Sequence, residues 1–292
     1  MPTSTAGPAL TPEATDTYRR HVQEAATFVR ERIERQPSLG LILGAGAGSR
    51  PEALAVEEEW ALAEMPHTPV AGDADSTLMV GELAGRPVAV LDGPLSLYSG
   101  YTARQVAFPI RMLGELGLER LFFTNRAGSV HPEVEPSDLF LVTDHLNFQG
   151  MNPLVGPNVE EWGPRFPDMT EPYDPGLRKR AETVALREGI NLQKGIYFAT
   201  LGPNLGTQAE YRMVRTLGAD VVGTDTVPEV IVARHMDLRV LTVSVIADRC
   251  SPDRVGPITT GEMTEAVETA RPKLRHLLEK LVAEVEATNE AV

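Results

Sequence analysis

The stretch Val222-Gly-Thr-Asp-Thr-Val-Pro-Glu-Val-Ile-Val-Ala-Arg-His235 carries the signals of a turn that opens into a helix. Pro228 fits the first turn of a helix, where a missing N–H leaves no bond unmade and the fixed φ is already helical. Glu229 beside it brings a carboxylate to the positive end of the helix dipole, a capping role. The apolar run that follows predicts a helix over about residues 227–236. The turn before it holds one acidic side chain, Asp225, at the helix entrance.

Outward from this stretch, strand-like and helical patterns alternate. Short apolar runs predict strands at Leu39–Leu43, Thr77–Val80, Pro87–Leu91, Leu121–Thr124, Leu139–Val142, Gly195–Thr200 and Val240–Ile246. Helical spacing predicts a first helix from about Asp16 to Arg35, with Tyr18, Val22, Ala25, Val29 and Ile33 on one face. Further helices are expected at about 103–117, 175–189 and 207–217. A last helix carries Met263, Val267, Ala270, Leu274, Leu277, Leu281 and Val285, opened by the capping box Thr259-x-x-Glu262 and kinked at Pro272. This alternation predicts an α/β fold: a single domain with a twisted mixed β-sheet, largely parallel, flanked by helices. The segment Phe148–Pro172 is rich in Pro, Gly and Asn and too long for an idle connection, which marks it as a binding or subunit-contact loop.

Composition removes several function classes. The 292 residues are 42% hydrophobic and carry a formal charge of −14, so the surface repels nucleic-acid backbones and anionic membranes. Neither is expected as a partner. The single cysteine, Cys250, allows no internal disulfide and reads as a buried inert thiol in a reducing, cytoplasmic setting. No apolar run is long enough to span a bilayer. His131, His145 and His235 lack the spacing of a zinc site and suit structural hydrogen bonds. Gly44-Ala-Gly-Ala-Gly-Ser49 follows a strand, but Ser49 breaks the dinucleotide fingerprint and no Lys-Ser/Thr pair makes a P-loop. A plain tight turn and an anion-binding turn both remain open there.

Several segments in order resemble the trimeric purine nucleoside phosphorylases and methylthioadenosine phosphorylases, over roughly residues 17 to 285. They are Leu41-Ile-Leu-Gly-Ala-Gly46, Gly93 to Tyr101, Thr124-Asn-Arg-Ala-Gly128, Asp144-His-Leu-Asn147, Asn152-Pro-Leu-Val-Gly-Pro-Asn158, Arg165-Phe-Pro-Asp-Met169, Gly202-Pro-Asn204 and Thr226 to His235. Residues 1–15 are small, polar and proline-bearing and read as a loose tail; the resemblance implies a nucleoside phosphorylase-like domain over 16–292, a homotrimer, and a small nucleoside-like ligand with no metal or organic cofactor.

It also implies a site. The loop of Gly44, Ala45 and Gly46, with Asp73 and Ser96, takes the place of the family's phosphate cradle. Tyr98, Asn125, Arg126, Ala127, Leu205 and Thr224 take substrate-binding places, and Asp248 and Asp225 are the catalytic candidates. This chain departs from the family at the cradle in one direction. Ala45 replaces a hydroxyl, Pro94 an arginine, Ser96 and Asp73 histidines, and Asp225 a phosphate-binding Ser or Thr. Two like charges about 4 Å apart repel by roughly 4 kcal/mol at an effective dielectric near 20, so ordinary phosphate binding is disfavoured. Arg126 replaces an alanine and is placed either to refill the cradle or to neutralise Asp225 or Asp73. Gly206 stands where the family's 6-oxopurine-reading glutamate would be. Asp248 matches the residue that protonates a purine N7 in the methylthioadenosine enzymes. Three readings follow: a divergent phosphorylase, a phosphate-independent hydrolase using Asp225 and Asp248, and a non-catalytic ligand-binding or assembly paralogue.

Overall fold

The apolar runs form strands, and a computed structural model describes residues 11–44, 50–70, 76–251 and 259–285. The strands are β1 (Leu39–Leu43), β2 (Ala55–Ala61), β3 (Thr77–Leu83), β4 (Arg86–Asp92), β5 (Arg120–Ser129), β6 (Leu139–Asn147), β7 (Leu192–Ala199), β8 (Val221–Gly223) and β9 (Arg239–Arg249). The helices are α1 (Pro12–Arg30), α2 (Ala103–Leu116), α3 (Pro175–Arg187), α4 (Gln208–Thr216), α5 (Val227–His235) and α6 (Thr260–Glu284). Thr11 caps α1 through its side chain, so that helix starts at Pro12, inside the expected tail, and ends at Arg30. Residues 1–10 lie outside the described structure. The capping box Thr259–Glu262 forms as expected at α6, and Pro272 lies within that helix.

The strands run in the order β2-β3-β4-β1-β5-β8-β7-β6-β9, and β9 also pairs with β5. The last five strands therefore close on themselves, where the sequence pattern predicted only a twisted sheet. Five pairings are parallel and four antiparallel, so the sheet is mixed rather than largely parallel. The antiparallel pairings come chiefly from the edge hairpin β3–β4 with β2 and from the short β8.

Alternating strand residues feed two cores, as a sheet covered on both faces requires. Ile42, Leu121 and Phe123 pack with Val22, Ala107 and Val230 from α1, α2 and α5. Leu41, Leu43 and Phe122 pack with Leu177, Ala181, Leu274 and Leu281 from α3 and α6. In the β5–β9 pairing the register shifts between Ala127 and Gly128. Such a bulge re-aims the side chains beyond it, and the ends of these two strands form the floor of a cleft.

Candidate functional site

A cleft of about 640 Å³ opens where β5, β7, β8 and β9 end, a size suited to a small organic ligand. Strand ends supply Arg126, Ala127 and Gly128 from β5 and Ala247 and Asp248 from β9. The irregular segment after β6 adds Phe148, whose ring stacks on Phe198 of β7 with centroids 4.6 Å apart. The expected binding loop thus reaches the cleft through its first residue. Tyr98 comes from a short 3-10 turn, Leu97–Ser99, and Leu205 from the segment before α4.

Two polar groupings mark the cleft. One gathers Tyr98, Thr224 and the Gly202 backbone: a Cβ on Gly202 would fall 2.8 Å from the Thr224 methyl and 3.8 Å from the Tyr98 Cβ. Behind Thr224, the Ser96 hydroxyl donates to Asp225 Oδ1 at 2.8 Å. Burial raises the Asp225 carboxyl above its ordinary range, offset in part by Ser96, the Arg126 charge and Thr224. Glu229, one turn into α5, is fully buried, and burial followed by the nearby Asp225 charge pushes it up to about 8. The backbone N–H groups of Thr226 and Glu229 at the start of α5 offset part of that rise.

Thr226 itself has φ 79°, a conformation a β-branched residue adopts only under constraint. The Asn125 amide holds it, donating to the Thr226 hydroxyl at 2.8 Å. Asn125 is 1% exposed and supports the turn from inside. Its neighbour Arg126 faces the cleft. Among the described residues Arg126 makes no direct ion pair, so the salt bridge with Asp225 is not formed and the guanidinium acts on Asp225 only at longer range.

Of the other expected site residues, Tyr98, Ala127, Leu205, Thr224 and Asp248 line the cleft with Arg126. Asp225 and Ser96 stand behind Thr224 rather than on the cleft wall. Gly44 was expected in an anion loop, but its N–H donates to the Thr124 carbonyl at 2.9 Å and is already bonded. A Cβ at Gly44 would collide with that same carbonyl, so close packing against β5 accounts for this glycine. Ala45, Gly46 and Asp73 lie outside the described residues.

The second grouping was not anticipated. Gly206, Tyr211, Cys250 and Asp248 all line the cleft. The Gly206 N–H donates to the Tyr211 hydroxyl at 3.0 Å, and the Cys250 thiol donates to Asp248 Oδ2 at 3.5 Å. Burial raises the Tyr211 phenol well above its ordinary range, and the bond to Cys250 adds to the effect. The available signal was the pairing of a glycine at 206 with a tyrosine five residues on, across the start of α4. Cys250 is buried as expected, but it belongs to the cleft wall.

The histidines are structural. His145 Nδ1 lies 3.0 Å from the Tyr173 hydroxyl. The Arg111 guanidinium donates to His235 Nδ1 at 3.3 Å, so His235 Nε2 carries the proton and donates to the Pro164 carbonyl at 3.0 Å. Burial and the Arg111 charge push His235 down to about 4. Among the described residues no cluster of His, Cys, Asp or Glu fits a metal ion, and no helix is long and apolar enough to cross a membrane.

This architecture has close counterparts. Residues 38–283 match the family model of the phosphorylase superfamily. The chain is 40% identical over 271 residues to purine nucleoside phosphorylase 1 of Bacillus subtilis, covering 91% of this chain and 98% of that protein. It is 38% identical over 273 residues to the purine nucleoside phosphorylase of Bos taurus, covering 90% and 94% of the two chains. Among solved structures it is similar to isoform 2 of the Schistosoma mansoni enzyme in complex with cytosine and ribose-1-phosphate. That match has a TM-score of 0.87 and 31% identity, and covers 92% of this chain and 98% of the other.

Proposed function

The chain belongs to the phosphorylase superfamily, within its purine nucleoside phosphorylase family, and we propose that it cleaves the N-glycosidic bond of a purine nucleoside or nucleoside-like ligand bound in the cleft. The observation that carries this reading is the convergence of Tyr98, Arg126, Thr224, Leu205 and Asp248 on one cleft of nucleoside size. Solved relatives hold adenosine and hypoxanthine. In the reaction the C1′–N9 bonding pair passes to the purine, Asp248 donates a proton to the departing base, and a nucleophile bonds to C1′. Leu205 and the stacked Phe148–Phe198 pair give the base an apolar wall.

We further propose that the phosphate site is atypical. Asp225, held by Ser96 at 2.8 Å, puts a carboxylate where the family has a hydroxyl, and Arg126 is the cleft's available cation to oppose it. Two nucleophiles follow. If phosphate still enters, Arg126 is its partner. If it does not, water attacks C1′ and gives its proton to the Thr224 hydroxyl as that hydroxyl passes its own to Asp225 behind it. The raised carboxyl of Asp225 favours that second role, since a base is effective when its pKa approaches the working pH.

The two catalytic candidates separate by substitution. Asp248→Ala lowers purine release by about a hundredfold or more, in the range expected for loss of a general acid. A variant that cleaves at the wild-type rate removes Asp248 from the reaction. Asp225→Asn abolishes phosphate-independent cleavage and leaves phosphate-dependent cleavage in place. Phosphate-independent release that survives Asp225→Asn excludes Asp225 as the base. The family also implies a homotrimer, and the Phe148–Pro172 segment, with Phe166 87% exposed, is the surface we assign to the subunit contact.

A further inference from the structure

Gln149 is 4% exposed and follows Phe148, the residue that opens the Phe148–Pro172 segment on the cleft wall. Its side-chain Nε2 donates to the Thr224 carbonyl at 2.8 Å and, more weakly, to the Thr200 carbonyl at 3.5 Å. Carbonyl oxygens only accept, so the amide has one workable orientation: its oxygen in that place would meet two other oxygens. The orientation has a cost. Gln149 Oε1 is buried without a hydrogen-bond partner among the described residues, so the contacts on the nitrogen side are what hold the amide in place. Thr224 opens a turn in which each residue is tied by a side chain from a different part of the chain. Ser96 donates to the Asp225 carboxylate at 2.8 Å, the Tyr197 hydroxyl to the Asp225 carbonyl at 3.3 Å, and Asn125 to the Thr226 hydroxyl at 2.8 Å. With Thr226 at φ 79°, the turn keeps its shape only while such ties hold. Gln149 makes the tie to Thr224, which lines the cleft. Phe148 is fixed separately, its N–H donating to the Ala199 carbonyl at 2.9 Å and its ring stacked on Phe198.

We propose that Gln149 is a positioning residue for Thr224: by holding the Thr224 carbonyl it sets where that residue meets the sugar of a bound nucleoside. This rests on the reading of the cleft as a nucleoside site, with Tyr98 and Thr224 at the sugar end and the Phe148–Phe198 pair against the base. Two adjacent residues then serve the two ends of one ligand. Phe148 walls the base directly, and Gln149, which is not part of the cleft lining, acts on the sugar through Thr224. Its contribution is preorganisation of a binding group, which shows in affinity for ligands that carry the sugar.

The test uses the full chain, two apolar replacements of similar size, Gln149→Met and Gln149→Leu, and two readouts. In calorimetric titration the probes are hypoxanthine, a base alone, and adenosine, which adds the sugar. Both variants are expected to bind adenosine about tenfold more weakly, the effect of one lost hydrogen bond, and hypoxanthine within about twofold of the wild type. Equal weakening of the two probes, or adenosine affinity unchanged, overturns the proposal. The second readout needs no ligand. Backbone amide exchange, followed by mass spectrometry, is expected to quicken by about tenfold over Val221–Val230 in both variants and to stay as in the wild type over β1. Exchange over Val221–Val230 that matches the wild type overturns the proposal. A wild-type protein that binds neither probe, with the faster exchange present in the variants, defeats the nucleoside reading and leaves the tie between Gln149 and Thr224 standing.

Discussion

A carboxylate at position 225 persists because its surroundings are fitted to it. Ser96 donates to it at 2.8 Å, Thr224 adds a hydroxyl, and Arg126 contributes charge at longer range. In the proposed phosphate site the same charge would oppose an anion bound beside Thr224. At roughly 4 kcal/mol for a like-charge contact near 4 Å, this repulsion outweighs a single neutral hydrogen bond of about 1 kcal/mol. Asp225→Ser is therefore expected to tighten inorganic phosphate binding by at least about tenfold. Calorimetric titration checks this, and equal affinity in the two proteins means that Asp225 does not govern the anion site. His235 makes a second residue-scale case. Its folded pKa of about 4 lies below the ordinary 6.5, so the fold keeps it neutral while the unfolded chain protonates. Its stabilising contribution is whole above pH 6.5 and is lost as pH falls toward 4, by on the order of 2 to 3 kcal/mol. Urea unfolding between pH 4 and 7 shows this slope in the wild type and a shallower one in His235→Gln.

At the scale of elements, α5 gathers the charge problem at its N-terminus. Glu229 is fully buried there and pushed up to about 8, well above 4.5, so in the fold it holds a proton that the unfolded chain has already released. Stability accordingly falls as pH rises from about 4.5 through 8. Glu229→Gln keeps the shape without the ionisable group. Its melting temperature is expected to gain on the wild type from pH 5 to about pH 8 and to level off above that, and parallel curves would show that Glu229 carries no proton.

The same scale shows what the sequence disclosed. The interior strands β1, β4, β5 and β9 were legible because continuous Val, Leu and Ile runs have few other uses. Edge strand β2, Ala-Val-Glu-Glu-Glu-Trp-Ala, was not anticipated. Its outer face is exposed and acidic, which protects a sheet edge and erases the apolar signature. Strand β8 has three residues, too short for any period to register. Asp225 and Arg126 stood out because they depart from a familiar motif, and Asp248 because it matches one. Tyr211 did not, since α4 and the end of β9, which bring it and Cys250 into one cluster, meet only in the fold, a contact that periodicity does not encode.

For the whole molecule, the closure of β5 through β9 places the ends of four strands around a single cleft, and one wall of that cleft continues into an exposed apolar segment. Phe148 and Phe166 of that segment are 52% and 87% exposed. The proposed homotrimer would bury this segment. Sedimentation should give about three times the chain mass of 31.7 kDa, and Phe166→Asp should shift the mass toward one chain. A wild-type protein that sediments as a single chain at micromolar concentration contradicts the trimer. The central claim is glycosidic cleavage in this cleft. The most direct measurement follows purine release from inosine, adenosine and methylthioadenosine by the wild-type protein, with and without phosphate. The account predicts release from at least one of them, with Asp225 reducing or removing the dependence on phosphate. Absence of release from every nucleoside under both conditions would contradict it.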